Sequence, residues 1–152
     1  MKRLSIIYWS GTGNTENLAN AIAEAIENQD IEVFVMPVQQ ATIEDVMNSD
    51  IIALGCPAYA VPSDLGVEME ELEDKHMKPF ILSLRGIDLT GKRIGLFGSY
   101  DWGDRQWMRD WERQMENYGI PLIDKGLAIH RDEKNIEDKL GEFIDKLTEG
   151  SI

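Results

Sequence analysis

The hydrophobic positions of the chain fall into short apolar runs that alternate with segments of helical spacing. The apolar runs predict five strands, at residues 4–8, 31–36, 50–56, 93–99 and 120–130, with Gly126 as a candidate break in the last. Apolar residues spaced three or four apart predict helices from Asn14, from Thr42, over 69–84 with an interruption near Pro79, over 104–118 and from 136. This alternation predicts an α/β fold with three layers, in which a doubly wound, five-stranded parallel sheet has helices on both faces.

Three loops that leave predicted strands carry residues suited to a binding site. In doubly wound sheets, ligands bind beyond the carboxyl ends of the strands, where the strand order reverses. The loops after strands one, three and four span residues 10–15, 57–68 and 99–105, and they are rich in glycine, hydroxyl or aromatic side chains. We therefore expect these three loops to converge on one site.

The loop after the first strand has the composition of a phosphate-binding turn. It contains Ser10, Gly11, Thr12, Gly13, Asn14 and Thr15, and it has no basic residue. Helix amino termini attract anions, and the hydroxyl and amide side chains can donate hydrogen bonds. The mononucleotide and dinucleotide fingerprints both fail because Glu16 stands where each requires glycine. The pattern thus favours a pocket for one terminal phosphate, and a tight turn with a helix cap is the alternative.

Aromatic residues on the other two loops predict a site for a flat ring. Tyr100 and Trp102 follow the fourth strand, and Tyr59 follows the third. Aromatic side chains on separate loops, together with a phosphate-binding turn, fit flavin mononucleotide (FMN). The alternative is an aromatic cluster that closes the end of the sheet.

Composition and charge limit the number of domains, the cellular compartment and the partners that we expect. We expect a single domain over residues 1–152, and no apolar run reaches the about 18–20 residues of a membrane span. No signal peptide is expected, because Met1-Lys2-Arg3 runs directly into a strand, and the lone Cys56 favours a reduced, cytoplasmic setting. The net charge of −13 disfavours nucleic acid and suits basic partners, although it is equally compatible with simple solubility.

Several segments together resemble the short-chain flavodoxins of anaerobic bacteria. They are residues 8–16, Leu96-Phe97-Gly98-Ser99-Tyr100 followed by Trp102-Gly103 and Trp107-Met108, and Leu54-Gly55-Cys56-Pro57-Ala58. The resemblance covers nearly the whole chain. It implies a flavodoxin-like fold with strand order 2-1-3-4-5, FMN as the cofactor, and a role as a low-potential one-electron carrier between redox proteins.

The resemblance also implies roles for individual residues. The phosphate would be bound by Ser10, Thr12, Asn14 and Thr15, with the backbone of residues 10–15, including Gly11 and Gly13. Trp9 would shield the phosphate, and Trp102 would stack on one face of the ring. The remaining expected cofactor contacts are Pro57, Ala58, Tyr59, Ala60, Ser99, Tyr100, Asp101 and Gly103.

The chain departs from the family pattern around the ring. Tyr59 and Ala60 replace Met and Gly, residues 61–68 form an insertion, and Asp101 and Arg105 replace glycines. In the resembling proteins the glycine lets the adjoining peptide turn over on reduction. Ala60 therefore predicts that the two one-electron potentials lie closer together than in those proteins.

Two other functions stay open at the level of the sequence. One is an FMN-dependent quinone or azo reductase that uses the enlarged 57–68 loop, and the other is an interaction module without FMN. The expected partners of a carrier are redox proteins with basic docking surfaces, with no nucleic acid or membrane, and the chain is expected to be a monomer. Cys56 is expected to be inert, and His76 and His130 lack the spacing of metal ligands.

Overall fold

The computed structural model describes residues 2–10, 13–26, 30–57, 77–100 and 105–149. Its strands are β1 (Lys2–Tyr8), β2 (Ile31–Pro37), β3 (Ile51–Gly55), β4 (Arg93–Tyr100) and β5 (Leu127–His130). These five strands are parallel and lie in the order β2-β1-β3-β4-β5. The helices are α1 (Asn14–Ala25), α2 (Ile43–Met47), α3 (Met77–Ser83), α4 (Gln106–Asn117) and α5 (Glu137–Thr148), with a 3-10 helix at Val38–Gln40. The predicted fold class and strand order are confirmed.

Each face of the sheet is covered by its own set of helices. On one face α1 and α5 pack through Leu18, Ile22 and Phe143 against strand residues such as Ile6 and Ala53. The opposite face meets α2, α3 and α4 through side chains that include Val46, Ile81 and Trp111. All five residues of β3 are buried, because this central strand is covered on both faces.

The carboxyl ends of the three inner strands lie side by side. The N–H of Trp9, just after β1, donates to the carbonyl of Gly55 at 2.9 Å, and the N–H of Cys56 donates to Phe97 at 3.3 Å. Gly98 permits this close approach, since a Cβ there would lie 2.1 Å from the Cys56 carbonyl oxygen. The loops after β1, β3 and β4 therefore start from one end of the sheet, as the sequence predicts.

Helix α2 begins where its capping pattern predicts. The Thr42 hydroxyl accepts from the N–H of Asp45 at 3.3 Å, and the Asp45 carboxylate accepts from the N–H of Thr42 at 2.9 Å. This reciprocal pair is a capping box, which binds two amide groups at the start of the helix.

The fifth strand is shorter than predicted. Residues 120–126 are not a strand, although the N–H of Ile123 reaches the carbonyl of Ile94 at 2.9 Å. The N–H of Gly126 instead donates to the Glu112 carboxylate at 2.6 Å, and a Cβ on Gly126 would lie 2.3 Å from the sulfur of Met108. The segment thus touches β4 at Ile123 and α4 at Gly126, and regular strand pairing begins only at Leu127.

Helix α3 includes Pro79 without a break in its described part, because Pro79 lies in the first described turn, where it removes no bond to another described helical residue. Residues 69–76 of the helix predicted over 69–84 lie outside the described residues. In α1 the buried small residue is Ala19, whereas Ala25 is exposed in the last turn. Among the described residues, no helix has the length and apolar character needed to cross a membrane.

Candidate functional site

The β1–α1 turn, residues 9–14, ends at the amino terminus of α1. Gly13 occupies the N-cap position with φ +99°, and no side chain of the described residues hydrogen-bonds there as a cap. The N–H of Gly13 donates to the Ser10 hydroxyl oxygen at 2.9 Å. Because that oxygen accepts, the Ser10 proton is available to a ligand. The turn therefore presents the amino end of α1 and one hydroxyl donor to an anion.

Two predicted site residues from distant parts of the chain form a direct bond. The hydroxyl oxygens of Thr15, in α1, and Ser99, near the end of β4, lie 2.8 Å apart. Their residues are only 1% and 5% exposed. One of the two protons is used in this bond, so the pair retains a single O–H donor for a further partner. Thr15 and Ser99 thus act as one polar unit that ties the first turn of α1 to β4.

The acidic residue beside the turn has its own partner. The Tyr8 hydroxyl donates to the Glu16 carboxylate at 2.7 Å. Burial, followed by the hydrogen bond and charge of Glu16, raises the pKa of Tyr8 to about 12. Tyr8 is 8% exposed, and its phenol therefore stays neutral at ordinary pH. This contact fixes Glu16 at the end of β1.

Three aromatic rings cluster at the end of β4, on the face of the sheet that α2, α3 and α4 cover. The Tyr100 ring packs edge-on against His130, with centroids 5.1 Å apart, and at 6.2 Å from the Trp107 ring. The buried Nε1 of Trp107 has no hydrogen-bond partner among the described residues. The His130 Nδ1 accepts from the N–H of Asp132 at 3.1 Å, which leaves the proton of a neutral imidazole on Nε2.

The described part of the predicted site comprises seven residues at one end of the sheet. Ser10, Gly13, Asn14 and Thr15 lie at the β1–α1 junction, buried Pro57 follows β3, and Ser99 and Tyr100 end β4. The other predicted contacts lie outside the described residues: Gly11, Thr12, Ala58, Tyr59, Ala60, Asp101, Trp102 and Gly103. Trp9 packs in the core on the α2–α4 face.

Cys56 lies fully buried just after β3. Burial raises the pKa of its thiol well above the usual value, which keeps the sulfur in its unreactive protonated form. Within the described residues, no group of three or more His, Cys, Asp or Glu side chains could hold a metal ion.

Three contacts were missed at the level of the sequence. The Tyr8–Glu16 bond was not predicted, although both residues belong to the first motif. The approach of Trp107 and His130 to Tyr100 was not predicted either. The neighbouring positions of β4 and β5 could have indicated the His130 contact, because the carboxyl ends of parallel neighbours lie together.

Comparisons with known proteins agree on one family, and the matches cover most of the chain. The model of the family described as Flavodoxin matches residues 6–143. The chain is 38% identical over 144 residues to the flavodoxin of Clostridium beijerinckii, covering 95% of this chain and 98% of that protein. It is 39% identical over 144 residues to the flavodoxin of Megasphaera elsdenii, covering 94% and 98%. The solution structure of the two-electron reduced Megasphaera elsdenii flavodoxin superposes with a TM-score of 0.75, at 35% identity and 97% and 99% coverage.

Proposed function

The chain belongs to the flavodoxin family and is an FMN-binding electron carrier, and from this premise we propose that the β1–α1 turn holds the FMN phosphate. The observation that carries this proposal is the uncapped amino end of α1 at Gly13, where a Cβ would have no atom within 4 Å. An anion suits such a helix end, because its amide groups and dipole favour negative charge. The described residues therefore fit a phosphate.

Side chains around the turn supply the remaining donors in this proposal. Ser10 offers its hydroxyl proton, and the Thr15–Ser99 pair offers one more. Asn14, at the first position of α1, adds a side-chain amide. The Tyr8 hydroxyl holds the Glu16 carboxylate, which limits its freedom to approach the phosphate. Gly11 and Thr12 are proposed to complete the turn.

The ring of FMN is proposed to lie beyond the ends of β3 and β4. Pro57 and Tyr100 mark these two ends, and residues 58–60 and 101–103 are proposed to contact the ring. FMN supplies the electron-transfer chemistry when it is bound, and the protein positions it and sets its surroundings. Trp107 places a buried N–H without a described partner beside Tyr100, which is compatible with a polar ligand group at this end of the sheet.

The chain transfers electrons to redox partners, as its family does. We propose that these partners present basic surfaces, because the chain carries a net charge of −13. We further propose a single-domain, cytoplasmic monomer that carries one electron at a time at low potential, without nucleic acid or membrane as a partner. The comparisons give no support to the quinone or azo reductase alternative.

The phosphate assignment is tested by removing one hydroxyl while keeping the shape of its side chain. Thr15→Val deletes the hydroxyl that meets Ser99, and Thr15→Ser retains it as a matched control. A hydrogen bond to a charged group contributes about 1.5–3 kcal/mol, so Thr15→Val should weaken FMN binding by roughly 10- to 150-fold. Flavin fluorescence titration measures this affinity.

Riboflavin provides the second control, since it carries the same ring without the phosphate. We expect Thr15→Val to change riboflavin affinity little and Thr15→Ser to bind FMN nearly as well as the wild type. Equal losses for FMN and riboflavin would contradict a phosphate role and would indicate that Thr15 only supports the fold.

A further inference from the structure

A cavity of about 320 Å³ lies at the outer edge of the sheet, away from the β1–α1 turn. We call it the edge cavity. It lies beside β5, the last strand of the sheet, and is also lined by α5 and by Arg105, the residue before α4. Its volume falls in the lower range of pockets that hold small ligands.

The edge cavity is cationic in a strongly acidic chain. Four cationic side chains line it, against two carboxylates: Arg105, Lys125, Lys139 and Lys146 against Asp124 and Glu142. The chain as a whole has 28 acidic and 15 basic residues, so a lining in which cations outnumber carboxylates runs against its composition; the Glu112 and Glu133 carboxylates lie at the same edge outside this lining. Such a concave cationic surface concentrates anions.

One of these cations already holds a carboxylate. Lys139 donates to Glu133, and this hydrogen bond is the main cause of the lowered pKa of Glu133, to which the charge of Arg105 also contributes. By contrast, no described carboxylate lies within ion-pair distance of Lys125 or Lys146. These two lysines are exposed and available to an added anion.

The backbone of β5 offers donors along the same edge. The N–H of Gly126 donates to the Glu112 carboxylate at 2.6 Å, and the N–H of His130 donates to the Glu133 carboxylate at 3.1 Å. Because strand amides alternate between the two edges, the N–H of Ala128 points to the same outer edge as these two. Ala128 lines the edge cavity, so this donor lies between two amides that already bind carboxylates.

The walls of the edge cavity strengthen its attraction for charge. Leu127 and Phe143 line it, and both are buried at 6% exposure. Apolar walls exclude water and lower the local dielectric, which strengthens each charge interaction. The cavity therefore combines exposed cations at its rim with a backbone donor and an apolar wall.

We propose that the edge cavity binds a small anion with at least two carboxylate or phosphate groups. One group would accept from the N–H of Ala128, as Glu112 and Glu133 accept from its neighbours. The other would meet Lys125 and Lys146 at the rim. None of the residues proposed to contact FMN lines this cavity, and Arg105 directly follows the segment that includes the proposed ring contacts 101–103.

Amide NMR on the FMN-loaded protein tests the proposal, with pyrophosphate and succinate as probes. Each probe is titrated beside sodium chloride of equal ionic strength. We expect saturable shifts at the amides of Gly126, Ala128 and Phe143 with at least one probe, and no such shifts with chloride. A response to pyrophosphate alone identifies a phosphate ligand, and a response to succinate alone identifies a dicarboxylate.

Charge-matched variants decide whether the rim lysines are responsible. Lys125→Gln with Lys146→Gln should weaken probe binding about tenfold, since charge-assisted bonds are each among the stronger polar contacts. The control pair, Lys2→Gln with Lys134→Gln, removes the same charge from exposed lysines outside the edge cavity and should leave binding unchanged. Shifts that also appear with chloride, that fail to saturate, or that fall equally in both pairs would overturn the proposal.

Discussion

The β1–α1 turn and the edge cavity both suit an anion, but they use opposite physical means. Residues 10–17 contain no Lys or Arg, so the turn relies on backbone amides, hydroxyl groups and the dipole of α1. The edge cavity relies on full charges carried by flexible side chains, including Lys125 and Lys146. The turn thus depends on the positions of its hydrogen-bond donors, whereas the edge cavity depends on the charge of its side chains.

This difference determines what each region can distinguish. Amide and hydroxyl donors are directional and act over short distances, so the turn can select a ligand by shape. Charges act over the screening length, about 8–10 Å near physiological ionic strength, so the edge cavity should select by charge and depend on salt. Backbone changes should therefore affect the first region, and ionic strength should affect the second.

Of the changes that contrast the two regions, the largest effect is expected from the backbone of the turn at Gly13. Gly13 has φ +99°, where a side chain is strained although nearby space is open. Alanine would relax to negative φ in the free protein, and FMN binding would have to restore the left-handed backbone at a cost of about 1–2 kcal/mol, so Gly13→Ala should weaken FMN binding roughly 5- to 30-fold. Pyrophosphate binding at the edge cavity should not change. Fluorescence titration and amide NMR measure the two affinities.

Gly141→Ala is the matched control for this change. Gly141 lies inside α5, where an added Cβ would meet no atom within 4 Å and φ is ordinary for a helix. This substitution should stabilise the fold by about 0.5–1 kcal/mol and leave FMN affinity unaltered. Similar FMN affinities in the two variants would show that Gly13 does not need its left-handed backbone for binding.

A salt titration compares the two regions directly. Raising sodium chloride from about 50 to 300 mM shortens the screening length and should weaken pyrophosphate binding at the edge cavity about fivefold. FMN binding should stay constant or tighten slightly, because salt also screens repulsion from the acidic chain. Parallel loss of both affinities would mean that the turn also depends on charges not seen in residues 10–17.

The smallest effect is expected from Tyr8→Phe, which releases Glu16. The folded-state pKa of Tyr8 is about 12, above an unfolded value of about 10, so the fold favours the neutral phenol. This stabilisation is fully present below pH 10 and is lost as the pH rises towards 12. Tyr8→Phe should lower the free energy of unfolding by about 0.5–1.5 kcal/mol near pH 8. It should also reduce the loss of stability that occurs as the pH rises from 10 towards 12.

Urea unfolding at pH 8, 10 and 11 would measure this contribution. Glu16→Gln is the companion variant, since it keeps an acceptor for Tyr8 and removes the charge. It should reduce the alkaline decline less than Tyr8→Phe does, because burial is the first cause of the raised pKa. An unchanged decline in Tyr8→Phe would assign it to another group.

The fold was predictable where burial alone decides the structure. The run at residues 50–56 is nearly all apolar and forms β3 within one residue of prediction, because a central strand is buried on both faces. Residues 120–126 are less apolar, with Ile120, Leu122 and Ile123 as their apolar members, and they are not a strand. Their position depends on Met108 and Glu112 of α4, and such tertiary contacts leave no periodic pattern in the sequence.

The candidate site was predictable in its location but not in its bonds. Motif order places Thr15 and Ser99 at one end of the sheet, whereas their 2.8 Å contact depends on the register of β4. No sequence motif predicted the edge cavity. Arg105, Lys125 and Lys146 are widely spaced along the chain and meet only because α5 lies against β5.

The carboxylates on the outer edge of β5 have a consequence for self-association. An exposed edge strand can template the addition of a strand from another molecule, which is a common route to aggregation. Here Glu112 and Glu133 occupy the edge amides of Gly126 and His130, and β5 is only four residues long. A foreign strand would have to displace both carboxylates to reach the one amide between them. The Glu112 and Glu133 carboxylates should thus oppose the growth of fibres from this edge.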